Sequence, residues 1–245
     1  MHIFRLAITL STALTGWILC MPAAALEEVR LYTEHYPPFN IKEGDTVTGT
    51  NGLLLSEAFA ELGIVTQHRV VPWARAQRSA RTQPLACFYS AARTAERELH
   101  YQWVGPLSAE YITLFSLASR PIRLSNLAEA RHWRVGGQLG DAYVQWVIDQ
   151  GVEVESRGGE GSSLDKLLHN RLDLWISGSI AGPYMANIRK TELLPSFQSD
   201  VRSELWLACH REFPPELIQQ LNTLIERYRH DGTRARILAR YGVQP

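Results

Sequence analysis

Two arginines four residues apart give the sequence its clearest sign of ligand chemistry. Arg93 and Arg97 follow an apolar run, with hydroxyl groups beside them at Ser90 and Thr94. If Thr94 begins a helical turn, backbone N–H groups and the Arg97 guanidinium converge, and such an arrangement binds a carboxylate through charge-assisted hydrogen bonds. The alternative is a solvated turn in which each arginine pairs with a neighbouring glutamate. The spacing leaves both interpretations open.

Aromatic side chains on restrained turns are the second candidate feature. Tyr36 and Phe39 flank two consecutive prolines, whose rings fix the backbone torsion φ, and Trp73 directly follows Pro72. Aromatic residues held in this way often form the wall of a ligand pocket, although ordinary packing between lobes explains them equally well.

The sequence carries none of the motifs GxGxxG, GxxxxGK[ST], GxSxG and HExxH. The eight histidines have no cysteine partner at zinc-ligand spacing. The 25 basic residues balance 25 acidic ones, whereas a nucleic-acid-binding protein of this size usually has a basic excess. We therefore predict no cofactor, no metal and no nucleic-acid partner, and a binding protein in preference to an enzyme.

The first 25 residues are typical of a secretory signal peptide. His2 and Arg5 precede an apolar run from Leu6 to about Met21, and small residues lead to a cleavage site near Ala25. The alternative, a membrane anchor, is less favoured because the run is interrupted by Thr, Ser and Gly and is close to the shortest that can span a bilayer. We expect a periplasmic protein.

Export changes the interpretation of the cysteines. Cys20 leaves with the signal peptide, so Cys87 and Cys209 remain as an even pair in an oxidising compartment. Each lies in an apolar run, and two buried free thiols therefore stay an alternative to a disulfide.

Alternating strands and helices must position these residues. We predict strands over 29–33, 67–71, 84–90, 112–117, 133–136, 152–155, 172–177 and 204–209, and helices over 52–62, 73–81, 142–150, 163–170, 180–189, 215–230 and 233–240. The alternation predicts two α/β lobes with a cleft between them. Ligands bind beyond the carboxyl ends of such strands, so residues 33–39, 90–97, 136–141 and 177–179 are expected to line the cleft.

Seven short motifs follow one another along the mature chain: YPPF at 36–39, VTG at 47–49, VPW at 71–73, RTAER at 93–97, VGGQ at 135–138, NRLD at 170–173 and DGT at 231–233. Their order resembles that of the bacterial extracellular solute-binding proteins of family 3, the polar amino-acid type. The resemblance implies a type II periplasmic-binding-protein fold, with lobe 1 formed by residues 26–113 and 202–245 and lobe 2 by residues 114–201. It also implies that the strands of Cys87 and Cys209 are neighbours, which favours a disulfide.

The resemblance further implies a set of ligand-binding residues. The family's carboxylate-binding arginine corresponds to Arg97, and the aromatic residue over the ligand corresponds to Tyr36. In the second lobe, the carboxylate-binding hydroxyl falls on Asp141, and the acid that holds the amino group falls on Gly178. The full predicted set is Glu34, Tyr36, Trp73, Ser90, Ala92, Thr94, Arg97, Asp141, Ser177 and Gly178.

Two of these positions depart from the family pattern. Asp141 would repel a carboxylate, and Gly178 has no side chain to pair with an ammonium group. Either Asp141 or Glu34 could take over the ammonium, or the ligand could be another small carboxylate or zwitterion.

The resemblance implies a monomer that captures a small polar, carboxylate-bearing ligand by closure of two lobes, for an ABC permease. One alternative is a sensory or orphan binding module read by a membrane receptor. Another is a dehydratase-like enzyme on the same scaffold, with Glu34, Asp141 and Glu160 as candidate acids or bases. A strongly raised carboxyl pKa in the cleft would favour the enzyme.

Overall fold

The computed structural model describes residues 28–156 and 158–244. The predicted signal peptide, with Cys20, lies outside the described residues, and so does the side chain of Glu160. Within the described ranges, no helix has both the length and the apolar character needed to cross a membrane.

The described chain alternates strands and helices, as the pattern predicts. The strands are β1 (Val29–Thr33), β2 (Ile41–Glu43), β3 (Thr46–Thr48), β4 (Thr66–Val70), β5 (Ala86–Ala92), β6 (Tyr101–Leu117), β7 (Val135–Gly137), β8 (Val154–Ser156), β9 (Leu174–Gly178) and β10 (Leu193–His210). The helices are α1 (Thr50–Glu61), α2 (Trp73–Thr82), α3 (Ala95–Glu98), α4 (Ala142–Asp149), α5 (Glu160–Leu168), α6 (Ala181–Ile188), α7 (Pro215–His230) and α8 (Thr233–Ala239), with a 3₁₀ helix at Leu127–His132.

Eight of the strands form one sheet in the order β4-β1-β5-β10-β6-β9-β7-β8, and β2 and β3 form a separate hairpin. The outer strands of each half run parallel, β1 with β4 and β5, and β7 with β8 and β9. Antiparallel β10 and β6 join the two halves at the centre. We call the β1–β5 half the first lobe and the β7–β9 half the second lobe.

The two central strands are longer than predicted. β6 spans 17 residues and β10 spans 18, whereas the sequence pattern predicted only 112–117 and 204–209. Gly105-Pro106 in β6 and Pro195 in β10 are residues that usually end a strand, and here they lie near register shifts in the β6–β10 ladder. The predicted lobe boundaries at 113/114 and 201/202 fall inside these strands, and they stay a prediction.

Each lobe has its own apolar core. In the first lobe, Leu55 and Phe59 of α1 pack with Leu207 of β10 and Leu221 of α7. A separate cluster in the second lobe surrounds Trp175 and includes Phe115, Leu164 and Leu167. A third cluster crosses between the lobes, because Tyr36, Ala92 and Leu205 pack with Val144 and Ile176.

Cys87 and Cys209 are joined by a disulfide with an S–S distance of 2.06 Å. The two residues are register partners on neighbouring strands β5 and β10 and are fully buried. The bond therefore joins two segments separated by 122 residues within the first-lobe core.

Candidate ligand-binding site

A small cavity between the lobes brings together seven of the ten predicted site residues. It encloses about 20 Å³, which is room for roughly one water molecule. Its lining consists of Glu34, Tyr36, Trp73, Ser90, Ala92, Arg97, Asp141, Tyr143 and Leu205. The carboxyl ends of β1 and β5 and the amino end of α4 meet here, as expected for an open α/β sheet.

Arg97 is the buried cation of this cavity. The Thr94 hydroxyl accepts a hydrogen bond from the Arg97 backbone N–H, and this cap turns the chain after β5 so that the guanidinium points inward. The Arg97 side chain is only 8% exposed; it donates to the carbonyl of Ala92 (2.9 Å) and to the carbonyl of Gly140 (3.2 Å). Burial lowers the pKa of the guanidinium, and the nearby carboxylate of Asp141 partly opposes that shift.

The alternative drawn from the sequence, a solvated turn, applies to Arg93 and not to Arg97. Arg93 forms an ion pair with Glu98 and lies over the rings of Trp103 and Trp206. Both partners of this ion pair are substantially exposed, so Arg93 belongs to the surface.

Trp73 forms one wall of the cavity and contacts both lobes. Its ring packs edge-on against Phe88, with centroids 5.2 Å apart, and the Arg97 guanidinium lies 5.7 Å from a Trp73 ring centroid. The indole N–H donates to the Gly140 carbonyl at 3.2 Å. One carbonyl of the second lobe therefore accepts hydrogen bonds from two side chains of the first lobe.

Glu34 and Asp141 give the cavity two carboxyl groups. Glu34 Oε1 accepts a hydrogen bond from Gln138 Nε2 at 2.8 Å, a second polar link between the lobes. Asp141 caps α4 by accepting from the Tyr143 backbone N–H at 3.1 Å. Burial, together with the charge of Asp141, raises the pKa of Glu34 to about 8. Burial also raises the pKa of Asp141.

Ser90 lies on the cavity wall, but its hydroxyl is used inside the first lobe. It donates to Asn40 Oδ1 at 2.6 Å and accepts from Asn51 Nδ2 at 2.9 Å. Ser90 has φ 61° and is skipped where β5 pairs with β10, so it forms a bulge in the strand. The buried hydrogen bonds hold this left-handed backbone in place.

Glu110 is a buried acid that sequence reasoning did not select. It lies on β6 and is 2% exposed. Its Oε1 accepts from the Tyr36 hydroxyl (2.5 Å) and the Tyr143 hydroxyl (3.1 Å). Its Oε2 accepts from the backbone N–H groups that begin α6, at Ile180 and Ala181 (3.2 and 3.1 Å). Burial raises the pKa of this carboxyl, and the four donors oppose the shift.

Glu110 occupies the space over Gly178. A Cβ atom added to Gly178 would lie 1.8 Å from Glu110 Cδ, so no larger residue fits beside this carboxyl. Ser177 and Gly178 are buried on β9 and do not line the cavity. Thr94 caps α3 and lines the larger groove, but not the small cavity. A ligand contact at these three positions stays a prediction.

A larger groove continues from the small cavity toward solvent. It encloses about 1150 Å³ and shares Ala92, Arg97, Asp141 and Tyr143 with the cavity. The four shared residues therefore form the base of a cleft that opens between the two lobes.

The sequence profile of the bacterial extracellular solute-binding proteins, family 3, matches residues 29–244. This chain belongs to that family. The match covers almost the whole described chain and agrees with the resemblance drawn from the motifs. No curated protein matches the chain.

Several solved structures share the two-lobed fold with this chain at low sequence identity. The arginine-, lysine-, histidine-binding protein ArtJ from Geobacillus stearothermophilus is 14% identical with a TM-score of 0.79, over 89% of this chain and 97% of that one. A histidine kinase sensor domain is 15% identical with a TM-score of 0.79, over 89% and 98%. An ancestral amino-acid-binding protein, a precursor of cyclohexadienyl dehydratase, is 16% identical with a TM-score of 0.76, over 87% and 95%.

Proposed function

We propose that this family member is exported to the periplasm and captures a small polar, carboxylate-bearing ligand, an amino acid or a related compound, for delivery to an ABC permease. The observation that carries the proposal is the Arg97 guanidinium in the interlobe cavity. A guanidinium has five N–H donors, and two of them are used, by the carbonyls of Ala92 and Gly140. We expect a ligand carboxylate to bind through the remaining donors.

A ligand that fills the small cavity requires the lobes to part, because the larger groove reaches Arg97 and Asp141 but not Glu34 or Trp73. The enclosed cavity is far smaller than an amino acid, and it is closed by the hydrogen bonds that join Arg97 and Trp73 to Gly140 and Glu34 to Gln138. We infer that β6 and β10 act as the hinge, since they are the segments that cross between the halves. On this proposal, lobe 1 is 26–113 with 202–245, and lobe 2 is 114–201.

The proposal is tested by a thermal-shift screen of residues 26–245 against amino acids, small carboxylates and zwitterions, since a ligand that binds only the folded state raises its melting temperature. Calorimetry then compares Arg97→Ala with the wild type for each hit. Loss of a buried partner for the carboxylate should cost about 3 kcal/mol, or roughly a hundred-fold in Kd.

Arg75→Ala, which removes an exposed arginine of α2, is the matched control and should bind like the wild type. Equal affinity in Arg97→Ala and wild type would remove Arg97 from the site. The absence of any stabilising compound for the wild type would count against the proposed function itself. Amino-terminal sequencing of the protein from a periplasmic extract tests cleavage near Ala25.

An enzyme on the same scaffold is the second candidate, and Glu34 is the observation that favours it. Its pKa of about 8 allows proton transfer in either direction near neutral pH. A hit that is chemically converted during incubation, with the conversion lost in Glu34→Gln, would establish the enzyme. A hit recovered unchanged supports the binding protein.

A further inference from the structure

The larger groove that opens from the interlobe cavity carries exposed apolar side chains. Among the residues that the structure describes, eight large apolar side chains are exposed to solvent, and three of them line this groove. They are Leu139 before α4, Ile148 near the end of α4 and Val201 on β10, which are 55%, 39% and 41% exposed. Apolar side chains that gather in one groove mark a binding surface, whereas single ones scattered over a protein need no explanation.

Two indole rings extend this apolar surface. Trp146 on α4 and Trp206 on β10 both line the groove and are partly exposed. The Arg93 guanidinium lies over the Trp206 ring, 4.9 Å from a ring centroid. Asp141, at the base of the groove, and Ile148 are seven residues apart along α4, so the helix extends this wall about 10 Å from the base.

The cations at the rim of the groove are already paired with acids. Arg202 forms an ion pair with Glu204 at 3.4 Å, and Arg93 forms one with Glu98. The exposed apolar side chains are therefore the part of the groove that gains most from contact with a ligand, since covering them removes apolar surface from water.

We propose that the groove binds a hydrocarbon tail of the ligand whose carboxylate lies at Arg97. This inference rests on the proposed function and narrows its ligand class to carboxylates with an extended apolar substituent. Ala92, Arg97, Asp141 and Tyr143 line both the small cavity and the groove, so the two spaces are continuous. A ligand whose polar end lies at this base therefore has a path for its tail along α4. The groove encloses about 1150 Å³, which is ample for a ligand of this kind.

The first test varies the length of the tail. Calorimetry measures the Kd of unbranched carboxylates with six, eight and ten carbons for the wild type, each with and without a 2-amino group. Complete burial of one methylene group strengthens binding about four-fold. Because the groove is open to solvent on one side, we expect about two-fold or more for each added methylene, or at least roughly 16-fold from six to ten carbons.

A second comparison varies the charge of the tail, because the carboxylates of Glu96 and Asp149 also line the groove. L-Lysine is L-2-aminohexanoate with an ammonium group at the end of its chain. We expect L-lysine to bind about 10-fold more weakly than L-2-aminohexanoate, because its ammonium group would lose water against apolar side chains.

The third test removes the apolar wall. Leu139→Ser, Ile148→Ser and Val201→Ser should each reduce the gain per methylene, and the variant that combines them should abolish it. All three side chains are exposed, so the fold is expected to persist, which circular dichroism checks. Ile188→Ser and Val65→Ser are the matched controls, since both residues are exposed and lie outside the groove lining; they should leave the gain unchanged.

Equal affinity for all chain lengths, or a gain that persists in the combined variant, would overturn this inference while binding of the shorter compounds leaves the proposed function standing. Tighter binding of L-lysine than of L-2-aminohexanoate would assign the groove to a cationic tail and overturn it as well. So would a dimer of the wild type, seen by sedimentation and lost in the combined variant, because the groove would then hold a second copy of this chain. Binding of none of the compounds, with no hit in the wider screen, would overturn both proposals.

Discussion

The contact between Gly178 and Glu110 yields a quantitative prediction about the variant Gly178→Ala. The new Cβ would lie 1.8 Å from Glu110 Cδ and 1.9 and 2.1 Å from its two oxygens. Overpacking a buried site costs roughly 1–3 kcal/mol. The Glu110 carboxyl must also give up hydrogen bonds to move, each worth roughly 1.5–3 kcal/mol when a charged group takes part. We expect a loss of about 4 kcal/mol in the free energy of unfolding.

A second substitution separates this contact from other effects. Glu110→Ala is destabilising by itself, because it removes the carboxyl that accepts from two tyrosine hydroxyls and two backbone N–H groups. It also removes the three atoms that lie nearest to the added Cβ, so that Gly178→Ala is less crowded in this background. There we expect Gly178→Ala to cost less than about 1 kcal/mol, which gives a coupling energy of about 3 kcal/mol.

Urea denaturation of the four proteins of this cycle, followed by circular dichroism, measures the coupling. Gly161→Ala is the matched control, since its Cβ would meet only the Arg189 side chain, at an ordinary 3.7 Å; in helix α5 it should be neutral or stabilising by about 0.5–1 kcal/mol. If the two substitutions at 110 and 178 are additive within about 0.5 kcal/mol, the two residues do not share this space and the reasoning fails.

Two further predictions concern stability. Replacing both Cys87 and Cys209 by alanine opens a loop of 122 residues, and the chain-entropy relation gives a loss of about 5 kcal/mol; an unchanged urea midpoint would contradict this. The pKa of Glu34 is about 8 in the folded protein, above its ordinary value of 4.5. The unfolded chain therefore loses this proton first as the pH rises. The free energy of unfolding should therefore fall between about pH 5 and 8, and fall less in Glu34→Gln; parallel pH profiles would exclude Glu34 as a source.

The local patterns of the sequence were sufficient to predict many of the helices and strands and part of the candidate site. Apolar periodicity predicted α2, α4 and α7 within about one residue of their bounds, because one face of each packs against a core. The RTAER segment contains both the capping threonine and the arginine that it orients, so the burial of Arg97 follows from residues three positions apart. The family resemblance drawn from the motifs is confirmed by the profile match over 29–244.

The lengths of β6 and β10 were underestimated from the sequence, because pairing in the sheet outweighs glycine and proline residues that usually end a strand. Gly105-Pro106 lies within β6 and Pro195 within β10, yet both strands continue past these residues. Each of these strands has neighbours along both edges over part of its length, and the ladder of hydrogen bonds tolerates a local register shift. No window of local sequence contains that information.

The sequence by itself determined the alternation of strands and helices, the family, and the side chains at the ends of β1 and β5. Only the tertiary structure decided how the charges of the cleft are arranged. Tyr36 and Glu110 are 74 residues apart, Glu34 and Gln138 are 104 apart, and both pairs are joined by hydrogen bonds. A side chain is excluded at Gly178, because the Glu110 side chain on the crossing strand β6 occupies that space. Such contacts depend on which strands become neighbours in the sheet, and that is fixed by packing of the whole chain.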